Sequence, residues 1–379
     1  MEQLSLKDWE ELILIFREGK LLASVYHFLI KNNNFESKPD YVKRHLLSAF
    51  VHADRQRSQV IYECTVINAL LADVNVSPIY LKGANYILRG SRNSLGRIVS
   101  DIDLLVPKNE LDKVAKVLKN NLWKSEKISD YDAMYYQEWA HEIPPLIHIL
   151  RDTVLDVHHN LYLPISGRAL DISLFEAGAV VVDEQHRVLN SADSVLHSII
   201  HLFMNEDFSH SFRDLFDLTL LIKEYGYQGN GHEEYEKYEG YGNKGHGNKG
   251  YRNKESENDE FWNRLSCIAS KSGYEKEVYY CLKMSNQLFL LPKPSIYKEL
   301  EARFKNIYSD FLINSVITRA MTPKHTLMDT FTVRLSRFYV FMRGHCLKMP
   351  PHILFLHLAI KSYKGTIEAI MGKHYFDKS

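Results

Sequence analysis

Across residues 6–73 apolar side chains return every three or four positions, as in Leu46, Leu47, Phe50 and Val51, and again in Val60, Ile61, Cys64, Ile67, Leu70 and Leu71. That period lines them along one helical face and predicts an N-terminal helical bundle. The pattern then shortens. Residues 76–82 (VSPIYLK), 102–106 (IDLLV), 146–150 (LIHIL) and 154–158 (VLDVH) are brief apolar and β-branched runs, the signature of strands. After the second run, Leu111, Val114, Ala115, Val117 and Leu118 return to helical spacing over residues 109–118. The middle of the chain therefore alternates strand and helix. Beyond AVVV at 179–182 and a polar turn, residues 192–222 are again helical in period, and residues 259–379 read as helices interrupted at Pro292, Pro294, Pro323, Pro350 and Pro351.

Residues 225–258 break every such pattern. They hold eight of the 18 glycines, repeat GNKG at 242–245 and 247–250, and contain no aliphatic side chain. A tract like that buries no core and reads as a mobile insertion or linker, its interleaved tyrosines and lysines being the one feature suited to a nucleic acid or peptide. Five regions follow: an N-terminal helical region (1–75), an α/β core (76–190), helices packing on it (191–224), the insertion (225–258) and a C-terminal helical region (259–379). The expected fold is mixed α+β, a small mixed sheet held between helical regions.

Composition narrows the function classes. With 47 basic and 47 acidic residues the formal net charge is zero, so no global field draws in a polyanion and there is no strong nucleic-acid signal. Cys64, Cys267, Cys281 and Cys346 are scattered without a C-x-x-C pair, which speaks against a zinc knuckle or disulfide framework and fits a reducing cytoplasm. The start, MEQLSLKDWEELILIF, is acidic and amphipathic, unlike a secretory signal. The run ILFLHLAI at 353–360 falls short of the ~20 residues that span a bilayer. A soluble cytoplasmic protein without membrane attachment is expected.

The chemistry concentrates in SDIDLLV at 100–106. In a strand, residues two apart face the same side, so Asp101 and Asp103 aim together. Like charges that close need a cation, and hard oxygen donors select Mg²⁺, or Mn²⁺, over zinc. Asp156, inside the apolar run TVLDVHHNL, is a third carboxylate with the same requirement. Three carboxylates suffice for two ions that activate an attacking hydroxyl and clamp a triphosphate. Upstream, PIYLKG at 78–83 is a strand ending in a glycine before a helix, whose first N–H groups suit phosphate oxygens.

These motifs, in this order, resemble the bacterial nucleotidyltransferase-like family, uncharacterised nucleotidyltransferases within the DNA polymerase beta-type superfamily. LKGANYILRGSRNSLGRIVSDIDLLV matches its LKG-to-DIDLLV segment, LDVHHNL its third motif, and the likeness runs clearly over residues 40–220. The resemblance implies the superfamily's small mixed sheet, with Asp101, Asp103 and Asp156 as metal-binding catalytic carboxylates. It also implies a triphosphate pocket at Lys82, Gly83 and Ala84, with Arg97 as the arginine preceding the carboxylates. It further implies Mg²⁺ as cofactor, with Mn²⁺ the alternative, an NTP such as ATP as substrate, pyrophosphate as product, and an acceptor left open among RNA, protein, peptide and small molecule. One departure stands out: the superfamily's glycine-serine pair is Gly83 and Ala84 here, without the hydroxyl. That departure motivates a non-catalytic nucleotide-binding or scaffold alternative, and Gly90 with Ser91 offers a rival phosphate loop.

Neighbouring residues have plainer readings. His158 shares strand parity with Asp156 and suits a hydrogen bond that orients a carboxylate, whereas His159 points the other way. His197 and His201 have H-x-x-x-H spacing, but Ser198 stands where a zinc protease carries glutamate. Arg213, Asp214 and Asp217 read as helix-surface ion pairs or the border of a cleft. Arg89 and Arg92 are expected in solvent, and Arg334, Arg337 and Arg343 line either a basic groove or a solvated helix face.

Overall fold

The computed structural model describes residues 4–125, 128–227 and 254–371. Most of the glycine-rich insertion, residues 228–253, lies outside them. The N-terminal region is three helices, α1 (Leu6–Glu18), α2 (Leu22–Lys31) and the 33-residue α3 (Asp40–Ala72). Ser5 starts α1 through a reciprocal capping box with Asp8. Ile13, Leu22, Tyr26, Leu29, Val42 and Leu46 form its small core.

Seven strands among the described residues make one mixed sheet, in the order β3-β4-β5-β2-β1-β7-β6. They are β1 (Ile79–Tyr80), β2 (Asp101–Leu105), β3 (Trp123–Ser125), β4 (Leu146–His148), β5 (Val154–His158), β6 (Val180–Val182) and β7 (His186–Val188). The central pair β2/β5 is parallel, and β1 runs antiparallel to β2. Between strands lie α4 (Lys82–Arg89), α5 (Leu111–Asn120), α6 (Asp130–Glu138) and α7 (Ile172–Gly178). Strand β1 is shorter than the expected run at 76–82, because Lys82 already opens α4 at φ 42°.

Alternation along β2 and β5 divides the sheet into two chemically distinct faces. Ile102, Leu104, Leu155 and Val157 join Val60, Cys64, Ile67 and Leu71 of α3 and Val114 and Leu118 of α5 in one buried cluster. The opposite parity carries Asp101, Asp103, Asp156 and His158. Leu105, also on that face, enters a larger core built from α8 (Ser191–Met204), α9 (Ser211–Gly226), α10 (Lys254–Ser272) and α11 (Glu275–Phe289). A fully buried Leu of about 2 kcal/mol is typical of what each such side chain contributes. Inside that core the Thr219 hydroxyl of α9 meets the Ser285 hydroxyl of α11 at 2.9 Å.

The C-terminal region continues through α12 (Ser295–Phe304), α13 (Ile307–Phe311), a π-helical turn at Leu312–Ile317, α14 (Thr318–Ala320), α15 (Phe331–Lys348) and α16 (Pro351–Met371). On α15, Arg337 donates to the carbonyls of Thr322 and Pro323 and to Asp329, and Arg343 donates to the Phe203 carbonyl. These two arginines tie segments together, while Arg334 is exposed beside Asp329. Arg89, expected in solvent, is instead half-buried, its guanidinium donating to the Leu189 carbonyl at 2.6 and 3.2 Å. Gly96 joins the N-terminal helices to the core: at φ 73° it lies so close to Ala23 that a Cβ would sit 2.5 Å from that backbone. No helix among the described residues is long and apolar enough to cross a membrane.

Candidate active site

Parallel pairing sets Asp103 directly opposite Asp156, with Asp101 opposite Val154. Strands lie roughly 4.8 Å apart, so two carboxylates at one level of one face must meet. Oxygens of Asp101, Asp103 and Asp156 all lie within 4.8 Å of one another. The three residues singled out in the sequence therefore converge.

Hydrogen bonds to Lys82 and His158, made by Asp103 and not by Asp156, explain how these two carboxylates differ. Strand β1 hands the chain to α4 through a hydrogen bond from Leu81 N–H to the Asp103 carbonyl at 3.0 Å, which brings Lys82 beside Asp103. Lys82 Nζ is 2.7 Å from Asp103 Oδ1, and His158 Nε2 lies 2.9 Å from the same oxygen. Burial pushes the Asp103 carboxyl up, but the Lys82 charge and the His158 hydrogen bond outweigh it and hold the group well below the usual range. The same pairing outweighs burial at Lys82 and raises its ammonium above the ordinary value. Asp156 has no such partner. Burial first, then the charges of Asp103, Glu142 and Asp101, push its carboxyl up to about 7.

Asp156 Oδ1 is buried without a hydrogen-bond partner. A buried acceptor facing two more carboxylates is a cost unless a cation meets it. The donor set, all carboxylate oxygen, fits a hard divalent ion such as Mg²⁺ or Mn²⁺. These side chains would hold it.

Asp101 and Asp103 open onto a cavity of about 220 Å³ whose border includes Lys82, Gly83, Arg97, Ser198, His201 and Arg213. Lys82 adopts a left-handed backbone that a non-glycine residue holds at a cost of about 1–3 kcal/mol, strain of the kind kept at functional positions. Gly83 is required by proximity: a Cβ there would stand 2.9 Å from both methyls of Val99 on the segment leading into β2. The first N–H groups of α4 have no partner within the helix, as at any helix start. Ala84 does not border the cavity; its methyl is fully buried in the apolar cluster with Cys64 and Ile67. Gly90 is the left-handed C-cap of α4, and Ser91 is buried against the Tyr225 hydroxyl at 2.7 Å.

Arg97, its side chain 11% exposed, is committed. Its guanidinium pairs with Asp217 and lies 3.7 Å from Asp214, over the Tyr86 ring at 5.3 Å. Asp214 in turn accepts from Arg213 at 2.8 Å. Helix α9 thus turns Arg213, Asp214 and Asp217 toward the cavity as an ion-pair network, the cleft border rather than a solvent face. Of the histidine pair on α8, His197 is buried and His201 borders the cavity. Among the described residues neither belongs to a group of three metal-competent side chains.

Glu142 and His141 were not singled out in the sequence. Glu142 Oε2 lies 3.2 Å from His158 Nδ1, so His158 bridges two carboxylates, and the His141 and His158 rings are 5.1 Å apart. Burial first, then the neighbouring His158, lowers the His141 imidazole well below its ordinary range. The only local hint was H-E-x-P-P immediately before a strand, which is no motif. The histidine bond to Asp103, by contrast, follows from strand parity.

A model of the family described as uncharacterised nucleotidyltransferase matches residues 5–234, more than half the chain and all seven strands. No curated protein and no solved structure matches. The family description supports a general role in nucleotidyl transfer, and the seven-stranded mixed sheet with its surrounding helices is consistent with that fold. By the extent of that match, the chain belongs to the family of uncharacterised nucleotidyltransferases.

Proposed function

We propose that this protein moves a nucleoside monophosphate from an NTP to a hydroxyl of an acceptor, releasing pyrophosphate, with Asp101, Asp103 and Asp156 holding divalent ions of the magnesium type. The observation that carries the proposal is the convergence of the three carboxylates, one with an unpartnered buried oxygen, beside a cavity that begins at a helix start. Divalent ions, when bound, polarise phosphoryl oxygens and neutralise charge on the departing pyrophosphate. The chain's own groups do the rest. Asp101 and Asp103 fix the position of the reacting phosphate from a rigid strand. Asp156, opposite Asp103 on the neighbouring strand, is the carboxylate to which we assign the acceptor's proton. The α4 N–H groups and Lys82 receive the outer phosphates, Lys82 leaving Asp103 as its charge is compensated otherwise. Arg97, locked by Asp214 and Asp217, shapes the cavity wall.

Ala84 gives the non-catalytic alternative little support, since a hydroxyl at that position would face the apolar cluster rather than the cavity. The test uses purified full chain, Mg²⁺, cell extract and NTPs labelled at the α-phosphate. Label is expected in a stable product with stoichiometric pyrophosphate, and Asp103→Ala is expected to lower the rate by on the order of 10³-fold. Undiminished transfer by that variant contradicts the assignment. Metal-dependent NTP binding with no pyrophosphate release across a broad acceptor panel would favour the binding alternative.

A further inference from the structure

We propose that His141, Glu142 and His158 form a second metal site, of zinc type, that meets the aspartate site through His158. It stands independently of the transferase reading. The argument begins in the backbone. Strands β4 and β5 pair Leu146 with Leu155, and an isolated bridge further along pairs Glu142 with His158. Between these points the β4 side advances four positions and the β5 side three, so one extra residue is accommodated where Ile143, Pro144 and Pro145 lie. Such a bulge reverses side-chain parity. Without it Glu142 would share Leu146's face, away from Asp156; with it Glu142 comes onto the face of His158.

The turn is pinned there. His159 and Asn160 N–H groups donate to the His141 carbonyl at 2.7 and 3.2 Å, and Ile143 N–H donates to the Val157 carbonyl at 3.0 Å. The resulting donor geometry is that of a coordination shell. Zinc bonds of about 2.1 Å in a tetrahedron require ligand atoms about 3.4 Å apart. His158 Nδ1 is 3.2 Å from Glu142 Oε2, His141 Nε2 is 3.8 Å from that oxygen, and each of the three residues offers one ligand atom within 4.8 Å of those of the other two.

The second contact of His158 fits as well. Its Nε2–H donating to Asp103 Oδ1 at 2.9 Å selects the tautomer whose Nδ1 carries a lone pair, the carboxylate–histidine–metal arrangement. Two imidazoles and one carboxylate suit a borderline ion, where the all-oxygen aspartate set suits a hard one. His141 and Glu142 side chains are each 22% exposed, which leaves a route for the ion and a fourth position open to solvent. An ion there fixes the His158 ring and, through it, Asp103.

Co²⁺ titration of the full chain tests this. About one ion per chain is expected to give visible d–d absorption that persists in the Asp101→Ala/Asp156→Ala variant, is displaced by Zn²⁺, and withstands excess Mg²⁺. His141→Ala and Glu142→Gln should each abolish the bands, with thermal melts checking that they fold and His141→Asn as the milder substitution. The proposal is overturned if the bands vanish with the aspartate variant but persist in His141→Ala. It is equally overturned if Co²⁺ gives no such bands, or if Mg²⁺ displaces them, in which case Glu142, His158 and Asp103 form a hydrogen-bond chain only.

Discussion

Asp103→Asn is expected to destabilise the ion-free protein by about 3 kcal/mol, seen as a lower denaturant midpoint, besides removing activity. The cause is what the substitution leaves behind. Lys82 is 2.7 Å from Asp103 Oδ1, and the Asp103 side chain is only 5% exposed, so the ammonium loses the carboxylate it is bonded to in a site with little water. Cutting one partner from a buried pair costs more than deleting both. The double variant Asp103→Asn/Lys82→Met should therefore recover most of the lost stability while remaining inactive. A double variant no more stable than the single one would show that Lys82 and Asp103 are not energetically coupled. Recovery of activity in the double variant would contradict the role given to Asp103.

Divalent-ion binding is expected to strengthen about tenfold from pH 6 to pH 8 and to release close to one proton at the acid end. Asp156 sets the window. Its ordinary value is 3.8 and its folded value about 7, raised by burial and then by Asp103, Glu142 and Asp101. The folded chain thus holds a proton that the unfolded chain has already lost. Its stabilising contribution is fully present at low pH, below the unfolded value, and is lost as pH rises through about 7. A cation competes with that proton, so affinity moves in the opposite sense. Calorimetry in buffers of different ionisation enthalpy reads the proton count directly. PH-independent affinity, or proton uptake on binding, would show that Asp156 is not among the ligands. An Asp156→Asn variant should bind more weakly at pH 8 and lose the pH dependence.

Much of this was legible in the sequence because strands report themselves through parity. In IDLLV and VLDVH the apolar residues at alternate positions demanded one buried face, which fixed the direction of Asp101, Asp103 and Asp156 before any pairing was known. Their meeting required β2 to lie beside β5, a neighbour relation spanning some fifty residues that no local pattern encodes. The family resemblance supplied it. Glu142 was hidden for a different reason: its direction depends on a one-residue bulge, and simple alternation from Leu146 places it on the wrong face. Strands β3 and β7 are three residues each and exist through their partners, with Trp123 opposite His148 and Arg187 opposite Ile79. Arg213, Asp214 and Asp217 have the spacing of surface ion pairs. Only the packing of α8 and α9 on the sheet's polar face turns them inward. Arg89 was misread because a long side chain near a helix end looks solvated until its carbonyl acceptor, Leu189, folds over it.

The central claim is that three strand-borne carboxylates hold divalent ions next to a bound nucleotide. Anomalous diffraction from crystals grown with Mn²⁺ and a non-hydrolysable NTP addresses it most directly. Manganese peaks are expected between Asp101, Asp103 and Asp156, with the phosphates against the start of α4 near Gly83. Manganese absent from that triad, or a nucleotide bound away from the cavity lined by Lys82 and Arg213, would contradict it.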